Sequence, residues 1–233
     1  MIDRDVYSSG EYVGHFQPDD GHNPFHALYA AKCRDVIASI QTGLAPQRAV
    51  LDIGGGPGRM AVPLSSEYRV TLCDISADML RIATNAAAKS NISAGNLAVR
   101  RLDASEPLPF RSAAFDRVLC VDLLVHLKVP VSLLSELHRV LKPDGELIVD
   151  MSNRSPWWIL RYPRTLGRRP NGWLSTWRSG GVLPEWQGTV RHHNHADYRA
   201  MLQAARFEVL DERRYGPPWC AKWFLTRCRP LPG

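Results

Sequence analysis

The sequence lacks any long hydrophobic run. In the 233 residues, no apolar stretch approaches the roughly 18 to 20 residues that a membrane-spanning helix requires. The first residues, MIDRDVYSSGEYVGHF, are acidic where a secretory signal would be basic and then apolar. These absences predict a protein that is neither an integral membrane protein nor exported.

Paired cysteines and metal-ligand spacings are also missing. The five cysteines, Cys33, Cys73, Cys120, Cys220 and Cys228, are widely scattered and form no CxxC pair. An odd number of separated cysteines is typical of free thiols in a reducing compartment. We therefore expect a cytoplasmic protein with no disulfide framework and no bound metal.

Charge and tryptophan are distributed unevenly along the chain. Residues 1–150 hold 15 Lys and Arg against 18 Asp and Glu, whereas residues 151–233 hold 14 against 5. All seven tryptophans lie in the second of these segments. A basic, tryptophan-rich C-terminal region indicates an anionic or flat partner.

Strands and helices alternate between residues 48 and 152. Short apolar runs such as AVLDI and YRVTLCD predict buried strands, and ADMLRIATNAAAK predicts a helix capped by Ser76. A helix over residues 24–40 precedes them, and a helix beginning near Asp197 with two strands closes the chain. The alternation predicts an α/β fold with a parallel sheet, helices on both faces and ligands beyond the carboxyl ends of the strands.

The segment from residue 154 to residue 191 interrupts this alternation. It has no periodicity and carries several prolines and glycines, which is typical of an insertion. We therefore expect a single domain in four parts. These parts are N-terminal cap helices over 1–45, a ligand-binding core over 46–153, an inserted lid over 154–191, and a C-terminal helix and strands over 192–233.

A glycine-rich turn follows the first strand of the core. Glycine is needed where the backbone takes a positive φ or where a ligand approaches it closely. Gly54, Gly56 and Gly58 have the spacing G-x-G-x-G, whereas a dinucleotide-binding loop would need a glycine where Arg59 stands. No G-x-x-x-x-G-K-[ST] loop is present either. The spacing therefore disfavours both kinds of nucleotide-phosphate loop.

Five motifs in order resemble those of class I S-adenosylmethionine-dependent methyltransferases. They are Asp52-x-Gly54-x-Gly56-x-Gly58, Asp74 at the end of the second strand, Asp103-Ala104 at the end of the third, Leu108-Pro109-Phe110 with Phe115-Asp116, and Asp122-Leu123-Leu124-Val125-His126 after the fourth. The resemblance covers residues 24–153 and the last strands. It implies a Rossmann-like, doubly wound, mainly parallel seven-stranded sheet with the lid inserted after strand five.

The same resemblance implies S-adenosylmethionine as the cofactor. In that family the acid after the second strand accepts hydrogen bonds from the ribose, and the Asp-Ala pair contacts the adenine. The cofactor contacts expected here are Asp52, Gly54, Gly56, Gly58, Asp74, Ile75, Met79, Asp103, Ala104 and Val121. Because a sulfonium cofactor has no pyrophosphate, its loop needs no lysine. For Asp52 and Asp103, capping of a turn is the alternative role.

Methyl transfer is an in-line displacement that depends on alignment and on exclusion of water. A base is needed only where the acceptor loses a proton. Asp122 and His126 would share one face if their stretch is helical, and His195 is a further candidate because imidazole titrates near neutral pH. We therefore predict Asp122, His126 and His195 as catalytic residues. The alternative role for His126 is packing against the cofactor. Of His192, His193 and His195, we expect one to face the pocket, and the other two to be solvated or to cap the helix near Asp197.

The acceptor is predicted from the lid. Its five tryptophans, seven arginines and one glutamate can form an aromatic slot with cationic edges. No Asn/Asp-Pro-Pro-aromatic motif, no Pro-Cys nucleophile and no acid cluster accompanies it, which disfavours base-amino, cytosine and metal-dependent methylation. We predict a small-molecule substrate, an aromatic or other secondary metabolite methylated at O or N. Its predicted contacts are Tyr12, Trp157, Trp158, Trp177 and His192.

Four alternatives remain open at this point. The acceptor would be a lipid or quinone if the tryptophans and arginines form a membrane-surface patch. Nucleic acid, less favoured, would stack its bases on tryptophan. The tryptophans would otherwise pack the lid against the core or form a homodimer interface. The chain would finally be a non-catalytic, cofactor-binding partner subunit.

Overall fold

A computed structural model describes residues 26–90, 92, 95–153, 182–183, 190–191, 193–216 and 221–232. Most of the predicted lid therefore lies outside the described residues. The predicted substrate contacts Tyr12, Trp157, Trp158, Trp177 and His192 lie outside them as well. Among the described residues, no helix combines the length and the apolar character needed to cross a membrane.

The elements follow the predicted alternation. The helices are α1 (His26–Gln41), α2 (Ala61–Leu64), α3 (Ala77–Lys89), α4 (Pro130–Val140) and α5 (His195–Ala204). The strands are β1 (Ala49–Ile53), β2 (Arg69–Asp74), β3 (Leu97–Arg101), β4 (Phe115–Cys120), β5 (Leu141–Ser152), β6 (Val182–Leu183), β7 (Val190–Arg191), β8 (Phe207–Tyr215) and β9 (Trp223–Pro230). A 3₁₀ turn spans Leu124–His126.

Seven strands form one sheet in the order β3-β2-β1-β4-β5-β9-β8. The pairs from β3 to β5 are parallel, and β9 runs antiparallel to both of its neighbours, β5 and β8. The predicted mainly parallel seven-stranded sheet is confirmed. The strand order reverses between β1 and β4, and this is the place where open α/β sheets bind ligands.

Apolar side chains cover the sheet on both faces. On one face α4 and α5 contribute buried residues such as Leu133, Leu137 and Leu202. On the other face α1, α2 and α3 contribute residues such as Ile40 and Leu80. Because β1 and β4 are central and are covered on both sides, almost all of their residues are buried.

Two helices begin at side-chain caps. The hydroxyl of Ser76 accepts a hydrogen bond from the N–H of Met79, as the sequence predicts. The helix α5 begins at Asn194, whose Oδ1 accepts a hydrogen bond from the N–H of Asp197 at 2.8 Å. An asparagine, and not a histidine, therefore caps this helix.

Two strands end earlier than the sequence predicts. β3 ends at Arg101 and β4 ends at Cys120, so Asp103, Ala104 and Asp122 lie in the loops that follow. Asp103 turns the chain because its Oδ1 accepts a hydrogen bond from the N–H two residues later. Asp122 has a φ of +56°, which is incompatible with a continued strand.

Candidate active site

A pocket lies beyond the carboxyl ends of β1, β2 and β4. It is lined by most of the residues that the sequence assigned to it, namely Gly54, Gly56, Asp74, Ile75, Met79, Asp103, Ala104, Val121, Asp122 and His126. Tyr29, Arg59 and Leu123 line it as well. Asp52, Gly58 and His195 do not. The pocket has two differently built ends, which we call the glycine-loop end (residues 52–58 with Asp74) and the acceptor end (Tyr29, Lys32, Asp122, His126 and Asp150).

Three of the four glycines of the loop, Gly54, Gly56 and Gly58, have positive φ but meet different surroundings. Their φ values are +71° at Gly54, +52° at Gly56 and +79° at Gly58. A Cβ at Gly54 would lie 2.9 Å from Leu123, and one at Gly58 would lie 2.8 Å from Val62, whereas one at Gly56 would meet nothing within 4 Å. Gly54 and Gly58 are therefore fixed by packing, and Gly56 leaves open space in the pocket.

Asp74 ties the glycine loop to the start of α3. Its Oδ2 accepts the N–H of Gly56 at 2.9 Å, and its Oδ1 accepts the N–H of Ser76 at 2.8 Å. Burial raises the pKa of this carboxyl, and the backbone donors oppose that rise. The carboxylate is thereby held in one orientation at the pocket wall beside the open space at Gly56.

Asp52 lies beneath the loop and does not reach the pocket. The residue is 1% exposed, and its Oδ2 is 2.5 Å from the place that a Cβ on Gly55 would occupy. The backbone N–H of Ala61 is the donor that acts on its carboxylate. Burial, with the nearby charge of Asp74, raises its pKa to about 7. The structure thus places Asp52 beneath the turn, behind the residues that line the pocket.

Asp103 both caps a turn and lines the pocket. Its Oδ1 accepts hydrogen bonds from the N–H of Ser105 at 2.9 Å and from the hydroxyl of Ser105 at 2.7 Å. Asp103 and Ala104 stand at the pocket wall. The two roles weighed for Asp103 in the sequence are therefore compatible with each other.

The acceptor end is organised by a buried lysine that sequence reasoning missed. Lys32 of α1 is 0% exposed, and its Nζ lies 2.7 Å from Asp122 Oδ1 and 2.5 Å from Asp150 Oδ2. The other oxygen of Asp150 accepts the N–H of Asp122 at 2.6 Å. Burial favours the neutral form of Asp122, but the ammonium of Lys32 outweighs it and holds the pKa of Asp122 below its usual value.

Tyr29 and Arg59 form the wall between α1 and the glycine loop. The guanidinium carbon of Arg59 lies 5.3 Å from the centre of the Tyr29 ring, and the ring of Trp223 is 6.2 Å away on an edge. Burial, together with the charge of Asp122, raises the pKa of Tyr29, so the phenol stays neutral. In the sequence, Arg59 is marked as a pocket residue only by its position directly after Gly58.

His126 faces the same pocket as Asp122, although not for the predicted reason. The two residues do not share a helical face, because the positive φ of Asp122 precedes a single 3₁₀ turn that ends at His126. Burial lowers the pKa of His126, and the charge of Asp122 opposes that change. The imidazole is consequently neutral near pH 7 and able to accept a proton.

His195 is separated from this pocket. It is the first residue of α5, where its Nε2 lies 2.8 Å from Glu212 Oε2 and its ring centre lies 4.5 Å from that of Phe224. Its neighbour His193 forms a bridge with Asn153. The structure therefore does not bring His195 together with Asp122 and His126, because its hydrogen bond to Glu212 holds it at β8.

Comparison with known proteins agrees with the fold and the pocket. Residues 51–149 match a family model described as a methyltransferase domain. The chain is 31% identical over 180 residues to a ubiquinone/menaquinone biosynthesis C-methyltransferase of Bordetella parapertussis, covering 76% of this chain and 63% of that protein. It is 29% identical over 140 residues to a ubiquinone biosynthesis O-methyltransferase of Xanthomonas oryzae, covering 59% and 56%. The chain thus spans less than two thirds of the length of these relatives.

The structure resembles magnesium protoporphyrin IX methyltransferase of Synechocystis, solved with S-adenosylhomocysteine. The TM-score is 0.71 at 21% identity, and the match covers 98% of each chain. A likeness at this identity concerns the fold. Residues 51–149 thus match a methyltransferase domain, and the likeness in fold agrees with the resemblance seen in the sequence.

Proposed function

We propose that this chain transfers a methyl group from S-adenosylmethionine to a small acceptor molecule that carries a conjugated ring. The observation that carries the proposal is the pocket at the reversal of strand order, where Gly56 leaves space beside the fixed carboxylate of Asp74. The four-part division of the chain, with a lid over 154–191 covering the acceptor, belongs to the same proposal.

The residues at the glycine-loop end fit this cofactor. Space at Gly56 lets a ligand approach the backbone closely. The carboxylates of Asp74 and Asp103 are suited to hydroxyl and amino donors, and the neighbouring Ile75 and Met79 offer an apolar wall. No lysine stands in the loop to receive a phosphate. When bound, the cofactor supplies a methyl group activated by its sulfonium.

At the acceptor end, the side chains of this protein would handle the proton. His126 is neutral near pH 7 and takes the proton that an acceptor hydroxyl releases. The ionised Asp122 stabilises the imidazolium that results. Tyr29 and Leu123 close the pocket and exclude water from the transfer. His126 and Asp122 are the catalytic pair in this proposal.

The relatives support an acceptor with a flat ring. Two of them are named for ubiquinone or menaquinone biosynthesis, and the structural neighbour is named for a magnesium porphyrin. Both an aromatic secondary metabolite and a quinone precursor belong to this class. A quinone precursor is the second candidate, because the relative that is 31% identical over 76% of this chain carries that name. The tryptophans Trp157, Trp158 and Trp177 stay predicted walls of the slot.

The test combines binding and transfer. Titration calorimetry should detect S-adenosylhomocysteine binding to the full chain, and this affinity should be indifferent to salt. Incubation with methyl-labelled S-adenosylmethionine should then label catechol or hydroquinone probes and leave RNA unlabelled. Absence of S-adenosylhomocysteine binding would refute the proposal. RNA labelling, or RNA affinity that falls steeply with salt, would indicate that the acceptor is nucleic acid and not a small ring molecule.

A further inference from the structure

The most unusual charged group of the described residues is the ammonium of Lys32. Its side chain has no solvent exposure, yet it carries a charge on a helix that precedes the sheet. The rings of Tyr29 and Trp223 lie with their centres 4.9 Å from Nζ on two sides. A buried ammonium is strongly unfavourable unless it is paired and hydrogen-bonded. Such an arrangement in the wall of a pocket calls for a reason.

The pairing of Lys32 is asymmetric with respect to the pocket. Its two carboxylate partners differ in exposure, with the side chain of Asp150 at 2% and that of Asp122 at 34%. Asp122 is also the member of the trio that lines the pocket. Lys32 and Asp150 therefore form a hidden support, and Asp122 is the part that a ligand meets.

The support fixes Asp122 at two points. Lys32 Nζ holds the carboxylate at 2.7 Å, and Asp150 Oδ1 accepts the backbone N–H at 2.6 Å. A φ of +56° is uncommon for a non-glycine residue and persists where the surroundings enforce it. The two bonds come from α1 and β5, so neither backbone nor side chain of Asp122 can turn alone.

We propose that Lys32 is a positioning residue for methyl transfer, which fixes Asp122 as an ionised carboxylate at the pocket wall. There the charge of Asp122 stabilises the imidazolium that forms when His126 takes the proton of the acceptor hydroxyl. This role rests on the proposed function. It also narrows the acceptor class, because an ionised carboxylate attracts a neutral hydroxyl and repels an acceptor group that is already anionic.

The neighbours of Asp122 are consistent with a lysine that controls its charge. The titratable groups that act on it from the surrounding elements are Tyr29, Lys32 and Cys33 of α1, Cys120 of β4, His126 of the 3₁₀ turn, Asp150 of β5 and Lys222 before β9. The Nζ of Lys222 lies 4.1 Å from the centre of the Trp223 ring. Its pKa is lowered to about 8 by burial and by Lys32. Lys32 is the cation at ion-pair distance from Asp122.

The experiment follows the titration of Asp122 directly by carbon-13 NMR of carboxyl-labelled aspartate. The Asp122→Asn variant assigns the signal. In the unmodified protein this carboxyl should titrate below the usual range for aspartate. In Lys32→Met, which keeps the length of the side chain and removes the charge, the midpoint should rise by more than about one pH unit. In Lys32→Gln, which keeps a hydrogen-bond donor, the midpoint of Asp122 should also rise.

The matched control is Lys142→Met. Lys142 also lies 2.7 Å from a mostly buried aspartate, Asp116, but it does not line the pocket. Its removal should leave the midpoint of Asp122 unchanged. Titration of Asp122 at or above the usual range in the unmodified protein, or an unchanged midpoint in Lys32→Met, would overturn the inference.

Cofactor binding separates this inference from the proposed function. Lys32→Met should bind S-adenosylhomocysteine as the unmodified protein does, because Lys32 does not contact the glycine-loop end. With a hydroxylated ring probe, the acidic limb of its rate profile should move to higher pH together with the NMR midpoint. Failure of the unmodified protein to bind S-adenosylhomocysteine would refute the methyltransferase proposal, while the NMR titration would still decide the role of Lys32.

Discussion

The two ends of the pocket are built by opposite means. The glycine-loop end consists of backbone turns and of the Asp74 carboxylate, which N–H groups hold, and its residues lie between positions 52 and 74. The acceptor end consists of charged and aromatic side chains, and its ion pairs join residues 90 and 118 positions apart. One end is thus specified by local conformation and the other by long-range packing. The same mutation type should therefore have different effects at the two ends.

The largest expected effect is on cofactor affinity at the glycine-loop end. Asp74→Ala removes a carboxylate that faces the pocket and leaves the N–H of Gly56 without its acceptor. Titration calorimetry should show S-adenosylhomocysteine affinity reduced by about 100-fold or more. Circular dichroism should report an intact fold.

The control is Asp78→Ala in the first turn of α3. Asp78 pairs with Arg81 on the surface and does not line the pocket, so its loss should leave affinity unchanged. Equal affinity of Asp74→Ala and the unmodified protein would contradict the assignment of the glycine-loop end.

A comparable loss, in turnover and not in affinity, is expected at the acceptor end. His126→Gln removes the neutral imidazole and should lower kcat by about 100-fold with the ring acceptor identified by labelling. Affinity for S-adenosylhomocysteine should change little. His195→Gln is the matched control, because His195 is bonded to Glu212 away from the pocket. If His195→Gln lost as much turnover as His126→Gln, the placement of the proton acceptor would be wrong.

Two glycines with similar φ sharpen the contrast within the loop. Gly58→Ala combines a positive φ with contacts of 2.8 Å to Val62 and 3.0 Å to Ala83, and should cost about 3 kcal/mol of unfolding free energy. Gly56→Ala meets nothing within 4 Å and should cost about 1 kcal/mol. Urea denaturation measures both.

The ranking of the two variants should reverse for ligand binding. The new Cβ of Gly56→Ala would stand in the open space of the pocket and weaken S-adenosylhomocysteine affinity more than Gly58→Ala does. Equal losses of stability in the two variants would show that φ alone, and not packing, requires Gly58.

The last expected effect is confined to one range of pH and concerns Asp52, beneath the loop. Because the folded-state pKa of Asp52 is raised from 3.8 to about 7, the folded protein keeps a proton that the unfolded chain releases. Stability from this group is therefore complete at low pH and is lost as pH rises towards the folded-state pKa. Between about pH 5 and about pH 8, the free energy of unfolding should therefore fall by about 2 kcal/mol less in Asp52→Asn than in the unmodified protein.

Unfolding in urea at several pH values, without ligand, measures the slope of the unfolding free energy against pH. Asp144→Asn, a change at an exposed position of β5, serves as the comparison and should retain the pH dependence of stability seen in the unmodified protein. An identical slope in Asp52→Asn would show that Asp52 is ionised in its site at neutral pH.

The contrast between the two ends also explains what the sequence could predict. The strands, their mainly parallel sheet and the helix cap at Ser76 depend on periodicity and on neighbouring residues, and the structure confirms them. The positions of Gly54, Gly56 and Asp74 at the pocket wall follow from a turn of fixed shape. Such features are encoded within a few residues of the chain.

The features that were missed depend on contacts between distant elements. In the sequence, Lys32 looks like an ordinary charged residue of an amphipathic helix. Its burial becomes evident only from the contact of α1 with β5. His195 reads as a neutral-pH base, and only its contact with Glu212 on β8 removes it from the pocket. Asp52 belongs to the recognised motif, yet its side chain lies beneath Gly55, where the side chain of Leu72 from the next strand also packs.

The bridge made by Lys32 has a consequence for the order in which the molecule assembles. A ribosome completes every residue of the glycine-loop end by position 74, but it must add a further 76 positions before Asp150 can meet Lys32. Until then α1 carries an ammonium with no carboxylate from β5 to neutralise it, and the helix gains little from docking on an unfinished sheet. The emergence of β5 is thus the step at which the N-terminal helix can close its side of the pocket.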